Sequence, residues 1–404
     1  MRMKLRKWIH NLLPTMPKRS NRFLHIAVFC LLIFGFIMVM STLSAKNYES
    51  KYFVKEAIKS VLFIIASYWG MCIMAKNFHL TWFKKHHWKL GVILIIAMIA
   101  TLFFPGSYGA HCWIVIGPFS VQPIEFVKVF MIIILALYIE MGNRSSVKLW
   151  YIIRVPLFYL AMFVIIGLAQ KDLGSVIILI AIVCGLVLFA TDERFKGWKI
   201  AILVVGGLGL IGCAFAFTET GISLLSKIPF IAHIATRFQN TINPFIDPNN
   251  GGYQMIHGLY GFAHGGLKGV GLGNSIQKYG YLTQSDSDYI LSIIVEETGF
   301  LGLSLVVLSY FVILIVLFRY TRKAKSEGLR FILMGTAIYI FMHFFLNVGG
   351  VSGLIPLTGV PLLFISSGGS SLVSIMGCIG ICQNIIALLR RSGSTKKKKK
   401  RATA

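Results

Sequence analysis

Runs of about twenty apolar residues, each long enough to cross a hydrocarbon core as a helix, recur along the chain and leave little of it for anything else. Ten such segments can be drawn, at approximately 23–45, 53–75, 88–105, 122–141, 150–169, 172–190, 199–218, 289–318, 329–348 and 368–389. In lipid the backbone of each run must satisfy its own hydrogen bonds, which a helix does. The expected fold is therefore an all-α polytopic membrane protein with ten transmembrane helices.

Charge tests the count independently, because a miscounted span would invert the bias of every later loop. Of the 404 residues, 40 are Lys or Arg and 14 are Asp or Glu, a net charge of +26. The basic residues gather at the N-terminus, around Lys84 and Lys85, at Arg144 and Lys148, in 191–199, in 319–330 and in the tail Lys396 to Arg401. The intervening loops 104–123 and 347–371 carry no Lys or Arg, and the turn 169–172 carries only Lys171. Both termini are thus expected in the cytoplasm. So large a positive charge raises nucleic acid as a partner, but clusters placed between spans fit anionic lipid instead, and no nucleic acid is expected.

The layout that follows is a basic cytoplasmic N-terminus (1–22), helices 1–7 (23–218), a large extracytoplasmic loop or cap (219–288), helices 8–10 (289–389) and a basic cytoplasmic tail (390–404). The N-terminus reads as a retained signal anchor, since its first apolar run has spanning length. The cap is too rich in aromatic and apolar residues for disorder. Six of the seven cysteines lie in apolar runs without metal-ligand spacing, so neither a disulfide framework nor a Cys/His site is expected.

Charged residues at membrane depth are functional candidates by default. Glu125 and Lys128, three apart at the outer start of the fourth span, can meet on one helix face, as a structural pair or at a substrate. Asp286, Asp288, Glu296 and Glu297 concentrate four of the fourteen acids where the cap enters the eighth span. Glu296 and Glu297 read mainly as bundle contacts. Asp286 and Asp288 lie at the outer edge, where a carboxylate serves as a general base or caps the following helix. The glycine-rich GGLKGVGLGNS (265–275) lacks the strand of a phosphate-binding loop and reads as tight turns. Lys171, Lys227, Arg237, Lys268 and Lys278 bring positive charge to the outer face, enough for a pyrophosphate, although solvated loop residues are the default.

Five blocks then resemble one family: GAHCWIVIGPFSVQPIEFVK (109–128), QKDLGSV (170–176), NPFIDPNNGGYQ (243–254), GGLKGVGLGNSIQKYGYLTQSDSDYILSIIVEETGFLG (265–302) and GLIPLTGVPLLFISSGGSS (353–371). They are similar, in order and across all ten spans, to the signature segments of the SEDS proteins, the FtsW/RodA/SpoVE family. The resemblance implies a peptidoglycan glycosyltransferase that polymerises lipid II outside the cytoplasmic membrane, releases undecaprenyl pyrophosphate and works with a class B penicillin-binding protein as transpeptidase, among other divisome or elongasome membrane proteins. It places the essential aspartate on Asp288, the tryptophan of its first block on Trp113, and a Glu/Lys pair on Glu125 and Lys128.

The substrate-side candidates are then Trp113, Glu125, Lys128, Lys171, Arg237, Lys268, Gln284 and Asp286. The chain departs from the pattern at Cys112 (family Arg), Lys171 (Pro), Thr283-Gln284 (Pro-Glu) and Ser367 (Tyr). No cofactor is required by these motifs; a divalent cation at the pyrophosphate is left open. FGFIMVMSTLS (34–44) leans toward the division member of the family and LTGVPLLFIS toward the elongation member, with division favoured. A lipid II flippase and a divisome scaffold are the competing classes.

Overall fold

The computed structural model describes residues 13–45, 50–106, 110–117, 119–142, 147–227 and 232–402, without the side chains of Ser50, 232–234 and 393–402. The first twelve residues, Arg144, the centre of the cap's amphipathic piece at 228–231 and the side chains of the lysine tail lie outside the described residues.

In chain order the elements are α1 (Arg22–Ala45), α2 (Ser50–Asn77), α3 (Leu80–Thr101), a hairpin of β1 (Ile114–Ile116) and β2 (Phe119–Val121), α4 (Pro123–Met141), α5 (Leu149–Ala169), α6 (Leu173–Phe189), α7 (Lys196–Ala216), α8 (Glu219–Ser226), α9 (Ala232–Ile242), α10 (Tyr253–Gly265), α11 (Ile290–Thr321), α12 (Glu327–Val351) and α13 (Gly369–Ala402). Among the described residues, α1 to α7 and α11 to α13 fall on the ten segments drawn from the sequence. Among the described residues, seven helices are long and apolar enough to cross a membrane, all of these except α3, α4 and α6. Lysines crowd the start of α3, α4 carries Glu125, Lys128 and Glu140, and α6 has only 17 residues. The count of ten crossings rests on the charge alternation.

Burial sorts the helices. α4 is apolar all round and buried along most of its length, packed by α3, α5, α6, α12 and α13, as a central bundle helix must be. α7 has the opposite character: only Ala216 is buried, so its apolar surface faces lipid. α13 continues past the expected end of its span at 389, because the following Lys-rich sequence contains no proline and lysine is a good helix former.

Three further differences bear on function. The loop 104–123, read from the sequence only as an outward-facing connection, contains the antiparallel hairpin, with Ile114 opposite Val121. The stretch after α12, expected as an external loop, dips back into the bundle: Val360, Leu362, Leu363, Phe364 and Ile365 are all buried. Prolines and glycines keep this run from forming a span, yet its apolar residues still need a core. Gly35 of α1 makes room, since a Cβ there would lie 2.6 Å from the Ile365 Cα. Finally, α11 is broken at Gly299 (φ 66°, ψ −160°) instead of running as one regular helix.

Candidate active site

The break in α11 explains the glycine-rich segment before it. Val270 and Gly271 donate their N–H groups to the freed carbonyls of Glu296 (2.9 Å) and Glu297 (3.0 Å), and Phe300 donates to the Gly266 carbonyl at 2.9 Å. A Cβ on Gly269, whose φ is +77°, would sit 2.2 Å from the Glu297 oxygen, so only glycine permits the approach. The segment is a splint for a discontinuous helix, which is more specific than the tight turns expected. Lys268 rides on its exposed side, away from the cleft described below.

Glu296 and Glu297 are the bundle contacts expected, and both are buried. Glu296 accepts from the Ser275 hydroxyl and from the N–H groups of Ile276 (3.1 Å) and Gln277 (3.3 Å). Glu297 accepts from Lys278 Nζ at 2.8 Å and from Ser41 Oγ of α1 at 2.7 Å. Lys278 is therefore not the solvated loop lysine the sequence suggested. The two acids lock the 275–278 turn and, through it, the chain that leads to Asp288.

Asp288 lies just before α11, half-buried, lining a cleft of about 1620 Å³ at the end of the bundle away from the basic loops. By the positive-inside rule that end faces outward. Burial, with the negative charge of Asp286 adding to it and the Ser287 hydroxyl opposing, pushes the Asp288 carboxyl up to about 6. The carboxyl does not cap α11: the residue at the cap position is Tyr289, and no side chain caps that helix end. The preceding residues are held by the re-entrant segment instead. Ser367 donates from its N to the Asp286 carbonyl (3.0 Å) and from Oγ to Asp286 Oδ2 (3.1 Å), and Ser366 Oγ donates to the Ser287 carbonyl at 2.9 Å.

Of the other predicted residues, Trp113, Lys171, Arg237, Gln284 and Asp286 also line this cleft. Arg237 reaches over the re-entrant segment to the Leu357 carbonyl at 3.2 Å. Lys171 holds φ +60°, a left-handed conformation, at the exposed turn between α5 and α6. Where the resemblance implies an Arg, the Cys112 thiol is pushed up to about 12 by burial and by the charge of Asp172, and so is neutral. Lys171 brings an ammonium to the same cleft.

Glu125 and Lys128 are not brought to the cleft, contrary to their place among the substrate contacts. They form the expected ion pair at 2.8 Å, sealed inside the bundle. Tyr339 donates to Glu125 at 2.6 Å, and Lys128 donates to His343 Nε2 at 3.1 Å. Lys128, a substrate-side candidate on the sequence, is enclosed here: its ammonium is buried and already bonded to Glu125 and His343.

Among the cleft residues the sequence reading passed over are Glu56 and Lys59 of α2, Gln122 and Asp172. Gln122 Nε2 donates to Asp172 Oδ2 at 2.7 Å, while Asp172 Oδ1 caps α6 through Ser175 N. A charge at a span boundary was the available signal for Asp172. Among the described residues no group of three or more His, Cys, Asp and Glu side chains offers a metal site.

Fold and site define a polytopic α-helical membrane protein with a half-buried carboxylate in a large cleft at one end of the bundle. The chain belongs to the cell cycle protein family of FtsW, RodA and SpoVE, whose family model matches residues 22–391. It is 33% identical to the probable peptidoglycan glycosyltransferase FtsW of Enterococcus hirae over 81% of this chain and 82% of that one. It is 32% identical to the protein of the same name in Bacillus subtilis over 96% and 95%. Its fold is shared, with a TM-score of 0.68 at 20% identity over 91% of this chain and 97% of the other, by a solved structure described as "Structural coordination of polymerization and crosslinking by a peptidoglycan synthase complex".

Proposed function

We propose that this protein polymerises lipid II into glycan strands at the outer face of the cytoplasmic membrane, as an inverting glycosyltransferase in septal wall synthesis. The observation that carries the proposal is Asp288, a carboxylate poised near neutral pH in a cleft that is both polar and apolar. Its apolar arm is made by Phe36, Val39 and Leu43 of α1 with Phe63 and Ile64 of α2, suited to polyprenyl chains. Its polar rim offers Lys171 and Arg237 to a pyrophosphate. The relatives named above support the chemistry, and their division-protein names favour the septum over cell elongation.

Asp288 takes the proton of the acceptor 4-hydroxyl as that oxygen attacks the anomeric carbon of the donor sugar. The new C–O bond forms as the bond to the pyrophosphate breaks, and undecaprenyl pyrophosphate leaves with the electron pair. Lys171 and Arg237 neutralise the charge that develops on it. The cleft holds both reactants in one orientation, which removes much of the entropic barrier. A class B penicillin-binding protein is the partner this reading supplies, crosslinking the strands as they emerge. The ten-crossing topology with both termini inside and the 219–288 segment outside belongs to the same proposal.

The test is synthesis of glycan polymer from lipid II by purified protein with its transpeptidase partner, read on a gel. Asp288→Ala and Asp288→Asn are expected to abolish polymer while leaving the fold intact. Full-length glycan from either variant sinks the assignment. It would return the protein to the flippase class if lipid II still crosses vesicles, and to the scaffold class if it does not.

A further inference from the structure

Helix α12 carries three polar side chains one helical turn apart, Tyr339, His343 and Asn347, and all three are buried. Spacing of i, i+4 and i+8 puts them on one face, in a helix whose other buried residues, Thr336 aside, are apolar or glycine. Each reaches a different neighbour. Tyr339 donates to Glu125 at 2.6 Å, and His343 takes a hydrogen bond from Lys128 and presents Nδ1 to the Pro361 carbonyl at 3.1 Å. With Nε2 accepting from an ammonium, Nδ1 is the protonated nitrogen and donates to Pro361. Asn347 Nδ2 donates to two carbonyls at once, those of Asp288 and Val360, both at 2.9 Å.

Asn347 thus ties the backbone of Asp288, two residues ahead of α11, to the re-entrant segment. Its Oδ1 has no hydrogen-bond partner among the described residues. The two carbonyls fix the amide orientation, since the flipped amide would set oxygen against oxygen. A buried acceptor left unpaired is unfavourable, and an apolar side chain of the same size would avoid it. Packing alone therefore does not account for an asparagine here. The Pro361 and Val360 carbonyls held by His343 and Asn347 flank the wall that faces Asp288, where Gly359 comes within 3.6 Å of Oδ2 measured from an added Cβ.

We propose that Asn347 is a positioning residue for Asp288: its amide clamps the Asp288 and Val360 carbonyls together and so sets where the carboxylate stands in the cleft, with His343 holding the next carbonyl in line. This rests on the reading of Asp288 as the general base. A base displaced by about 1 Å loses on the order of a hundredfold in rate, so the clamp acts on turnover and leaves substrate affinity nearly untouched.

The experiment measures steady-state polymerisation of lipid II by the purified full-length complex, separating kcat from KM. Asn347→Ala is expected to lower kcat roughly tenfold to a hundredfold with KM within about twofold. Asn347→Asp has the same shape but lacks the two donors, and falls as far. Asn347→Gln keeps both donors on a longer stem and recovers at least about threefold over the alanine variant. A kcat within about threefold of wild type for Asn347→Ala, a loss confined to KM, or a glutamine variant no better than alanine overturns the proposal. If the alanine variant yields no folded protein, the Gln against Asp comparison decides it by the same criterion. Asp288→Asn is run in parallel: polymer from that variant defeats the functional reading, whereas an inactive Asp288→Asn beside a fully active Asn347→Ala defeats only the clamp.

Discussion

Lys278 Nζ stands 2.8 Å from Glu297 Oε1, with both side chains sealed from solvent and Ser41 of α1 bonded to each. The pair joins the cap to α1 at the level where α11 breaks. Removing one partner of a buried ion pair leaves an uncompensated charge and costs about 3–5 kcal/mol, although replacing both with apolar groups is often neutral. Lys278→Met should lower the unfolding temperature sharply, and Lys278→Met/Glu297→Gln should recover at least half of the loss, read by thermal unfolding in detergent.

The splint at Gly269 makes a second prediction. An alanine there is left-handed and meets the Glu297 carbonyl at 2.2 Å, so either the segment lifts from α11 or the helix end shifts. Left-handed backbone alone costs a non-glycine residue about 1–2 kcal/mol, and separation orphans the carbonyls of Glu296 and Glu297. Gly269→Ala should destabilise by about 2 kcal/mol or more, whereas Gly273→Ala, with nothing within 4 Å of its added Cβ, should bear the left-handed cost alone. Equal melting temperatures for the two variants would contradict the splint.

These two sites mark the limit of what the sequence disclosed. Hydropathy located the helices because lipid imposes one solution on a twenty-residue apolar run. It gave no warning of the break in α11, since Gly299 is an ordinary glycine until Gly269 approaches it. The same holds for Lys278, whose partners lie 19 and 237 positions away in sequence. The re-entrant segment is hidden in the sequence because Pro356, Gly359 and Pro361 interrupt its apolar run. His343 and Asn347 were legible in principle, since a polar group at membrane depth needs a partner whether or not it carries a formal charge.

Activity should follow the ionisation of Asp288. Its carboxyl is pushed up to about 6, so the base is protonated below that pH and the rate of polymerisation should rise with pH through about 6. Asp286 contributes to the rise by like-charge repulsion, behind burial. Asp286→Asn should move the acid limb of the pH–rate profile to lower pH without bringing it to an ordinary carboxylate value. A limb that stays in place or moves upward would show that another group controls the profile.

Stability should move in the opposite sense. A carboxyl raised in the folded state binds its proton more tightly there than in the unfolded chain, so the unfolded state holds fewer protons between about pH 4 and 6. Stability due to this group is therefore greatest at low pH and is lost as pH rises through about 6. Asp288→Asn removes the titration, and should melt at or above wild type at pH 7.5 while losing its advantage at pH 5. Lower stability of the variant at pH 7.5 would mean that the carboxylate is needed for the fold.

Lys171 separates charge from conformation. At φ +60° it occupies backbone space that glycine reaches without strain, and its ammonium lines the cleft beside neutral Cys112. Lys171→Gly should relieve the local strain, so the melting temperature holds or rises. It should at the same time weaken attraction for the pyrophosphate of lipid II, which is made by an exposed charge and is screened by salt. The expected result is a KM raised about threefold to tenfold with kcat within about twofold, and a smaller dependence of KM on ionic strength than in the wild type. Arg237→Ala should behave alike in KM but should also loosen the Leu357 carbonyl, so its melting temperature should fall. If both variants keep the wild-type KM at low salt, the pyrophosphate is held elsewhere in the cleft, with Lys59 of α2 the next cation to test.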